Sequence, residues 1–244
     1  PLPIYMMFVS ALFPSRLQAP VLFGIYASGV LLALCCARLL KNTLFKAPQR
    51  DSLHHMKRLR LPSLRKVGIL MWSRAFMYVR KAGTFILGAS IILWFLNTYP
   101  RPEEDTAPTN AAAMEHSYAG QIGHWMEPVT QVAGFDWKIN SALVGAFAAK
   151  EIFVTQMGIL YAVEDGNSAP AAQQTLNARL KASYTPLQGI SIMIFCLIAL
   201  PCIGTVTVAK REAGTWWFAL AQFGGLTLLG FATATLIYQA GLLL

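Results

Sequence analysis

Apolar residues gather in long blocks along this chain, with polar and basic stretches between them. Five blocks reach the ~20 mostly apolar residues that a bilayer-crossing helix needs. They are Pro20–Leu40, Ala82–Tyr99, Ile139–Val163, Leu187–Ala209 and Thr215–Leu244. Leu2–Phe13 is also apolar but too short to cross alone, and reads as a re-entrant piece or the tail of a helix begun upstream. The pattern predicts an all-α, polytopic helical membrane protein with about five transmembrane segments. Ser63–Lys81 mixes Leu64, Val67, Leu70, Met71, Phe76 and Val79 with Arg65, Lys66, Arg74 and Arg80. Such a stretch, opened by Pro62, forms either an amphipathic interfacial helix or a straight extension of the second block. RPEEDTAPTNAAAMEHS, Arg101–Ser117, predicts a loop, and GNSAPAAQQTLNARLKASYTP a linker with a short helix.

The fourth block is interrupted at FCLIALPCIGTVTVAKRE. Pro201 removes a backbone donor and clashes with the preceding turn, and in hydrocarbon the freed carbonyl needs another partner. Transporters build ion sites at such discontinuous helices. Cys202 adds a soft sulfur at the break, suited to copper, zinc or iron rather than magnesium or calcium. A proline kink beside an inert cysteine is the simpler alternative, and Thr205 or Thr207 could equally serve the freed carbonyls.

Lys150-Glu151 lies inside the third block. A charge at the bilayer centre costs several kcal/mol, and adjacent residues point ~100° apart on a helix, so each needs its own partner or a wet cavity. Glu151 could bind a cation or carry a proton, while Lys150 neutralises or anchors. A shift of the pair to an interface is the alternative. Gly83, Gly88, Ala89, Ser90, Gly224, Gly225 and Gly230 are small residues that permit close helix approach.

Composition agrees with the pattern. Hydrophobic residues make up 55% and charged residues 13%, against about 25% charged in soluble domains. The net charge of +9 does not point to nucleic acid, because 12 of the 20 Lys and Arg fall between Arg38 and Lys81. Residues 98–138 hold six acids and two bases. The positive-inside rule puts 41–81 in the cytoplasm and 98–138 outside, and HHMKRLRLPSLRK can also meet anionic headgroups. Parity then places 164–186 and the C-terminus inside. It leaves Lys210, Arg211 and Glu212 on the outer side, against the usual bias. Trp125 and Trp137 mark a membrane face.

The four cysteines, at 35, 36, 196 and 202, all lie in expected spans, which argues against a disulfide framework. Cys35 and Cys36 act as small apolar residues. His54 and His55 adjoin the basic run. His116 and His124, with Glu115 and Glu127, form either an external cation-collecting patch or a solvated loop. Met6, Met7, Met157 and Met193 line a soft-metal path or simply pack. No P-loop, HExxH or Ser/His/Asp arrangement is present, so nothing in the sequence supports an enzyme.

KAGTFILGASIILWFL, then GFDWKINSALVGAFAAKEIFVTQMGILY, then YTPLQGISIMIFCLIALPCIGTVTVAKREAGTWWFAL resemble the C-terminal membrane half of the bacterial ferrous iron transport protein B family. The opening PIY and the LPSLRKV stretch fit as well. The resemblance implies a second Gate repeat in the inner membrane, with Fe²⁺ as transported substrate. It matches Cys202 to the cysteine of the second PC motif and Glu151 to the acid of the AKE motif, both as members of the iron path. Lys150, Lys210, Arg211 and Glu212 match the charged support around it. GTP would bind only through a G domain not in this chain. The first Gate repeat, the lipid bilayer and further copies of the protein are the other expected partners, and nucleic acid is not one. The resulting division is 1–40 for the N-terminal apolar segment and first helix, 41–81 for the basic cytoplasmic segment, and 82–244 for a Gate-like domain. MKRLRLP stands where the family carries an acidic-Leu-Pro stretch. The alternatives are a nucleoside transporter of Gate architecture and a non-transporting membrane scaffold.

Overall fold

Local chemistry sets the helix boundaries. A computed structural model describes residues 2–43, 63–100, 114–148, 150–162, 169–199 and 201–243. His54, His55, Pro62, most of the Arg101–Ser117 loop and the start of the 164–186 linker lie outside the described residues. The helices are α1 (Leu2–Leu12), α2 (Ser15–Thr43), α3 (Leu64–Thr98), α4 (Tyr118–Thr130), α5 (Trp137–Ala148), α6 (Lys150–Ala162), α7 (Ala169–Ser183), α8 (Pro186–Ile198), α9 (Ile203–Ala213) and α10 (Trp216–Leu242), with a 3-10 turn at Gln131–Ala133. The α8 start follows from Thr-Pro-Leu-Gln. Pro186 occupies the first turn, the Thr185 hydroxyl accepts from the Gln188 amide, and the Gln188 side chain accepts from the Thr185 amide. This reciprocal cap satisfies two orphan donors at once. Nothing breaks the chain between Leu64 and Thr98, so the amphipathic stretch is a straight extension of the second apolar block, about 52 Å long in all.

The third block departs from expectation. Instead of one crossing it forms two antiparallel helices, α5 and α6, each about 18–20 Å long. The Lys138 ammonium at the start of α5 sits 4.8 Å from the ring centroid of Tyr161 at the end of α6, and Ile152 lies against Gly145. The physical reason is the charge pair at the block's centre. A continuous span would expose Lys150 to lipid, whereas a hairpin carries it to a tip where it meets the Cys196 carbonyl.

This hairpin changes the count of crossings. Asp136 and Tyr184, expected on opposite sides, are hydrogen bonded. The 184 corner therefore shares an end of the bundle with Asp136. α10 runs antiparallel to α8, with Ser191 Oγ donating to the Ala234 carbonyl and Gln239 Nε2 to the Val132 carbonyl. The end of α10 thus lies at the Asp136 end, and Trp216 at the other. α2 starts at the Asp136 end, where Leu12 of α1 abuts Gly189, and Gly29 meets Leu197 at the inner end of α8. Arg38 and Lys41 consequently lie at the same end as Lys210 and Arg211. The placement of 164–186 and the C-terminus opposite 98–138 is corrected, and the apparent misplacement of Lys210-Arg211-Glu212 disappears.

The core centres on Tyr5, Phe8, Phe153, Met157, Ile192 and Met193, all fully buried, so Met157 and Met193 pack rather than line a path. By length and composition α2 and α10 can each cross a membrane. The pair Leu176–Ser183 and Pro186–Ile198 is bent by 104°, and with the 184 corner at the Asp136 end it forms a re-entrant piece rather than a third crossing. The fold is the expected all-α polytopic type, interrupted at Pro201. Of the small residues, Gly230 is at a tight approach: a Cβ there would lie 2.8 Å from that of Ala199. Gly83, Gly88, Gly224 and Gly225 face open space.

Candidate transport site at a broken helix

α8 ends when the Ala199 amide donates to the Phe195 carbonyl, 2.8 Å away. Cys202 then caps α9 in an extended conformation, φ −61° and ψ 155°. α8 descends about 20 Å from the Tyr184 end and α9 about 16 Å toward the other, so the break falls near mid-depth. The hairpin tip arrives at the same level, and Lys150 Nζ donates to the Cys196 carbonyl at 2.7 Å. The last carbonyls of a helix lack intrahelical partners and carry partial negative charge. The ammonium answers both deficits.

Cys202 is half-buried, its Sγ 3.2 Å from Thr205 Oγ1. Glu151 is exposed in the first turn of α6, where a carboxylate suits the helix dipole. No hydrogen bond joins it to Cys202 among the described residues. Nor do three or more His, Cys, Asp or Glu side chains converge there on one metal-sized point. The Lys210 ammonium rests 4.5 Å above the Trp216 ring, while Arg211 and Glu212 are exposed. Gly214 closes α9 at φ 73°, its amide donating to the Lys210 carbonyl. A side chain would be strained in that left-handed conformation.

A second cluster, absent from the sequence reading, ties the hairpin base to the α7–α8 corner. Tyr184 donates to Asp136 at 2.9–3.1 Å, and Tyr161 Oη donates to Tyr184 Oη at 3.1 Å. Arg179 donates to the Tyr161 carbonyl. Asp136 also caps α5 by accepting from the Ile139 amide at 2.9 Å. Burial pushes its carboxyl above the ordinary range, opposed by that amide, the Tyr184 hydroxyl and Lys138. The readable signal was an Asp directly before the first helical residue, Trp137. Asn97 and Gln156 form a reciprocal amide pair at 2.7–3.0 Å, joining α3 to the hairpin. No local pattern announces a pair so far apart in sequence. His124 lies between Glu115 and Glu127 at 3.3–3.4 Å and stacks on Trp137, so those members of the expected patch do assemble.

A half-helix, a re-entrant hairpin and a charged tip meeting at mid-depth define a membrane protein of the discontinuous-helix class. Residues 79–216 match the family model Gate, described as nucleoside recognition, and residues 22–74 match the model of the ferrous iron transport protein B C terminus. The Fe(2+) transporter FeoB of Campylobacter jejuni is 34% identical over 91% of this chain and 36% of its own length. That of Methanocaldococcus jannaschii is 33% identical over 100% of this chain and 35% of its own. An Fe(2+) transport protein A/FeoB fusion protein of Porphyromonas gingivalis is 33% identical over 99% and 33%. The chain spans about a third of the length of these curated relatives. No solved structure matches. The chain belongs to the Gate family and corresponds to the C-terminal membrane portion of ferrous iron transport protein B.

Proposed function

We propose that this chain forms the membrane passage of a ferrous iron transporter, with Fe²⁺ crossing by way of Cys202 and Glu151. The observation that carries this reading is the meeting of the Pro201-Cys202 break with the Lys150-Glu151 tip at mid-depth, in a chain whose relatives are named Fe(2+) transporters. Fe²⁺ is of intermediate softness, so a thiolate and a carboxylate make a reasonable pair of contacts. Conduction needs contacts strong enough to admit the ion and weak enough to release it. The positive-inside rule supports an orientation in which the end bearing Arg38, Lys41, Lys210 and Arg211 faces the cytoplasm and the Asp136–Tyr184 end faces out, in a bacterial inner membrane. A G domain and a first Gate repeat complete the working transporter. The test is iron uptake in cells that lack their own ferrous uptake and carry the complete gene. Cys202→Ser should reduce uptake strongly at equal protein level, and unchanged uptake would refute the sulfur's part in the path.

A further inference from the structure

Helix α3 carries an apolar seam that runs off the bundle. At its outer end Leu93 borders Gly145 of α5, and Asn97 pairs with Gln156 of α6. Followed down the helix in steps of three and four residues, the same register reaches Val79, Phe76, Trp72 and Ile69. At ~100° per residue these positions keep to one side of the helix. Large apolar side chains at this spacing form the seam of a helix–helix contact. All four lower residues are exposed, Trp72 at 77%. Lipid tails do not account for that. Arg80 stands about 27 Å below the helix end at Thr98, close to the ~30 Å of a hydrocarbon core. The helix below Arg80 therefore runs through the headgroups into water, where a contiguous apolar patch marks an interaction surface.

The rim of the seam says what covers it. Lys66 and Arg80 flank one edge, and Gly68 and Ala75 line the other, where small side chains let a second backbone come close. Leu64–Arg80 holds four bases and no acid. A second copy of the seam would set like charges together. So would residues 44–62, whose sequence has five bases and a single acid, Asp51.

We propose that the Ile69–Trp72–Phe76–Val79 seam is the docking surface for an acidic amphipathic helix, supplied by the part of the polypeptide outside this chain. The curated relatives leave ample room for it, since the chain covers only 33–36% of their length. The partner's apolar face meets the seam, and its acids meet Lys66 and Arg80, which fix register and partner choice. This goes beyond the iron path and does not rest on it.

The test is photocrosslinking in cells carrying the complete gene, with Trp72→benzoylphenylalanine on the seam and Leu70→benzoylphenylalanine, ~160° around the helix, as the control. Mass spectrometry of the linked peptides should join position 72 to a segment of the same polypeptide that mixes acidic and apolar residues, at a yield severalfold above position 70. Lys66→Glu combined with Arg80→Glu should cut that yield severalfold, while Lys66→Arg with Arg80→Lys keeps it. Phe76→benzoylphenylalanine gives the same reading should the Trp72 variant fail to accumulate. The proposal falls if the seam positions label only lipid, a second copy or an unrelated protein. It falls equally if positions 72 and 70 link alike, or if the charge reversal leaves the yield unchanged.

Discussion

The Lys138 ammonium lies 4.8 Å from the centre of the Tyr161 ring, so the two ends of the third apolar block are neighbours rather than opposite poles. Single cysteines at Lys138 and Ser183, in a background without Cys35 and Cys36, should react with a membrane-impermeant maleimide from one and the same side. A cysteine at Arg211 should react only from the other. Labelling of positions 138 and 183 from opposite sides would contradict the hairpin.

Asp136 gives a pH dependence with a definite sign. Burial raises its carboxyl above the value of 3.8 it has in an unfolded chain, so the folded state holds the proton more tightly. The stability this contributes is fully present below the unfolded value and is lost as pH rises through the folded one. Wild type should therefore gain thermal stability relative to Asp136→Asn as pH falls from neutral toward 4. An unchanged difference between the two proteins over that range would count against the raised carboxyl.

The Tyr184 hydroxyl joins two helical elements through Asp136 and Tyr161. Tyr184→Phe leaves both partners short of a hydrogen bond in a buried setting, at a cost of about 1–3 kcal/mol. A drop in unfolding temperature should appear in detergent, and a variant as stable as wild type would show the contact to be incidental.

Gly230 and Gly225 offer a paired comparison on α10. A methyl at 230 would meet Ala199 at the α8 break, and crowding of this kind costs typically 1–3 kcal/mol. Gly225→Ala meets nothing and gains up to about 1 kcal/mol of helix propensity. Unfolding temperature and iron uptake should both fall for Gly230→Ala, whereas Gly225→Ala should keep its uptake and unfold at the same or a higher temperature. Equal behaviour would dissolve the distinction.

Glu151 is tested by uptake in cells carrying the complete gene. If the proposed path holds both residues, Glu151→Gln should lower Fe²⁺ uptake at equal protein level, and combination with Cys202→Ser should lower it by less than the product of the single losses. Independent, multiplicative losses would separate the two residues.

Much of the helical layout was legible in residue order. The Pro201 break, the unbroken potential of Leu64–Thr98 and the short helix in the 164–186 linker follow from local rules of proline geometry and apolar periodicity. The hairpin was not, because hydropathy measures how apolar a stretch is and not which way it runs. Ala162 can lie beside Trp137 or a membrane's width away with the same side chains. The clue was energetic: Lys150 in mid-block needed a partner, and the Cys196 carbonyl that supplies it belongs to a helix whose break the sequence had already announced. Asn97–Gln156 and Asp136–Tyr184 were hidden for a plainer reason, since polar residues on separate helices declare no pairing until the helices are packed.

Helix α3 is longer than any bilayer is thick, roughly 52 Å against a hydrocarbon core of about 30 Å. Its surplus stands at the basic end as a stiff mast. At its opposite end Asn97 grips Gln156 on the hairpin. Ser63 and Asn97 thus stand at the two ends of one uninterrupted helix, the second of them tied to the arm that begins with Lys150 and Glu151.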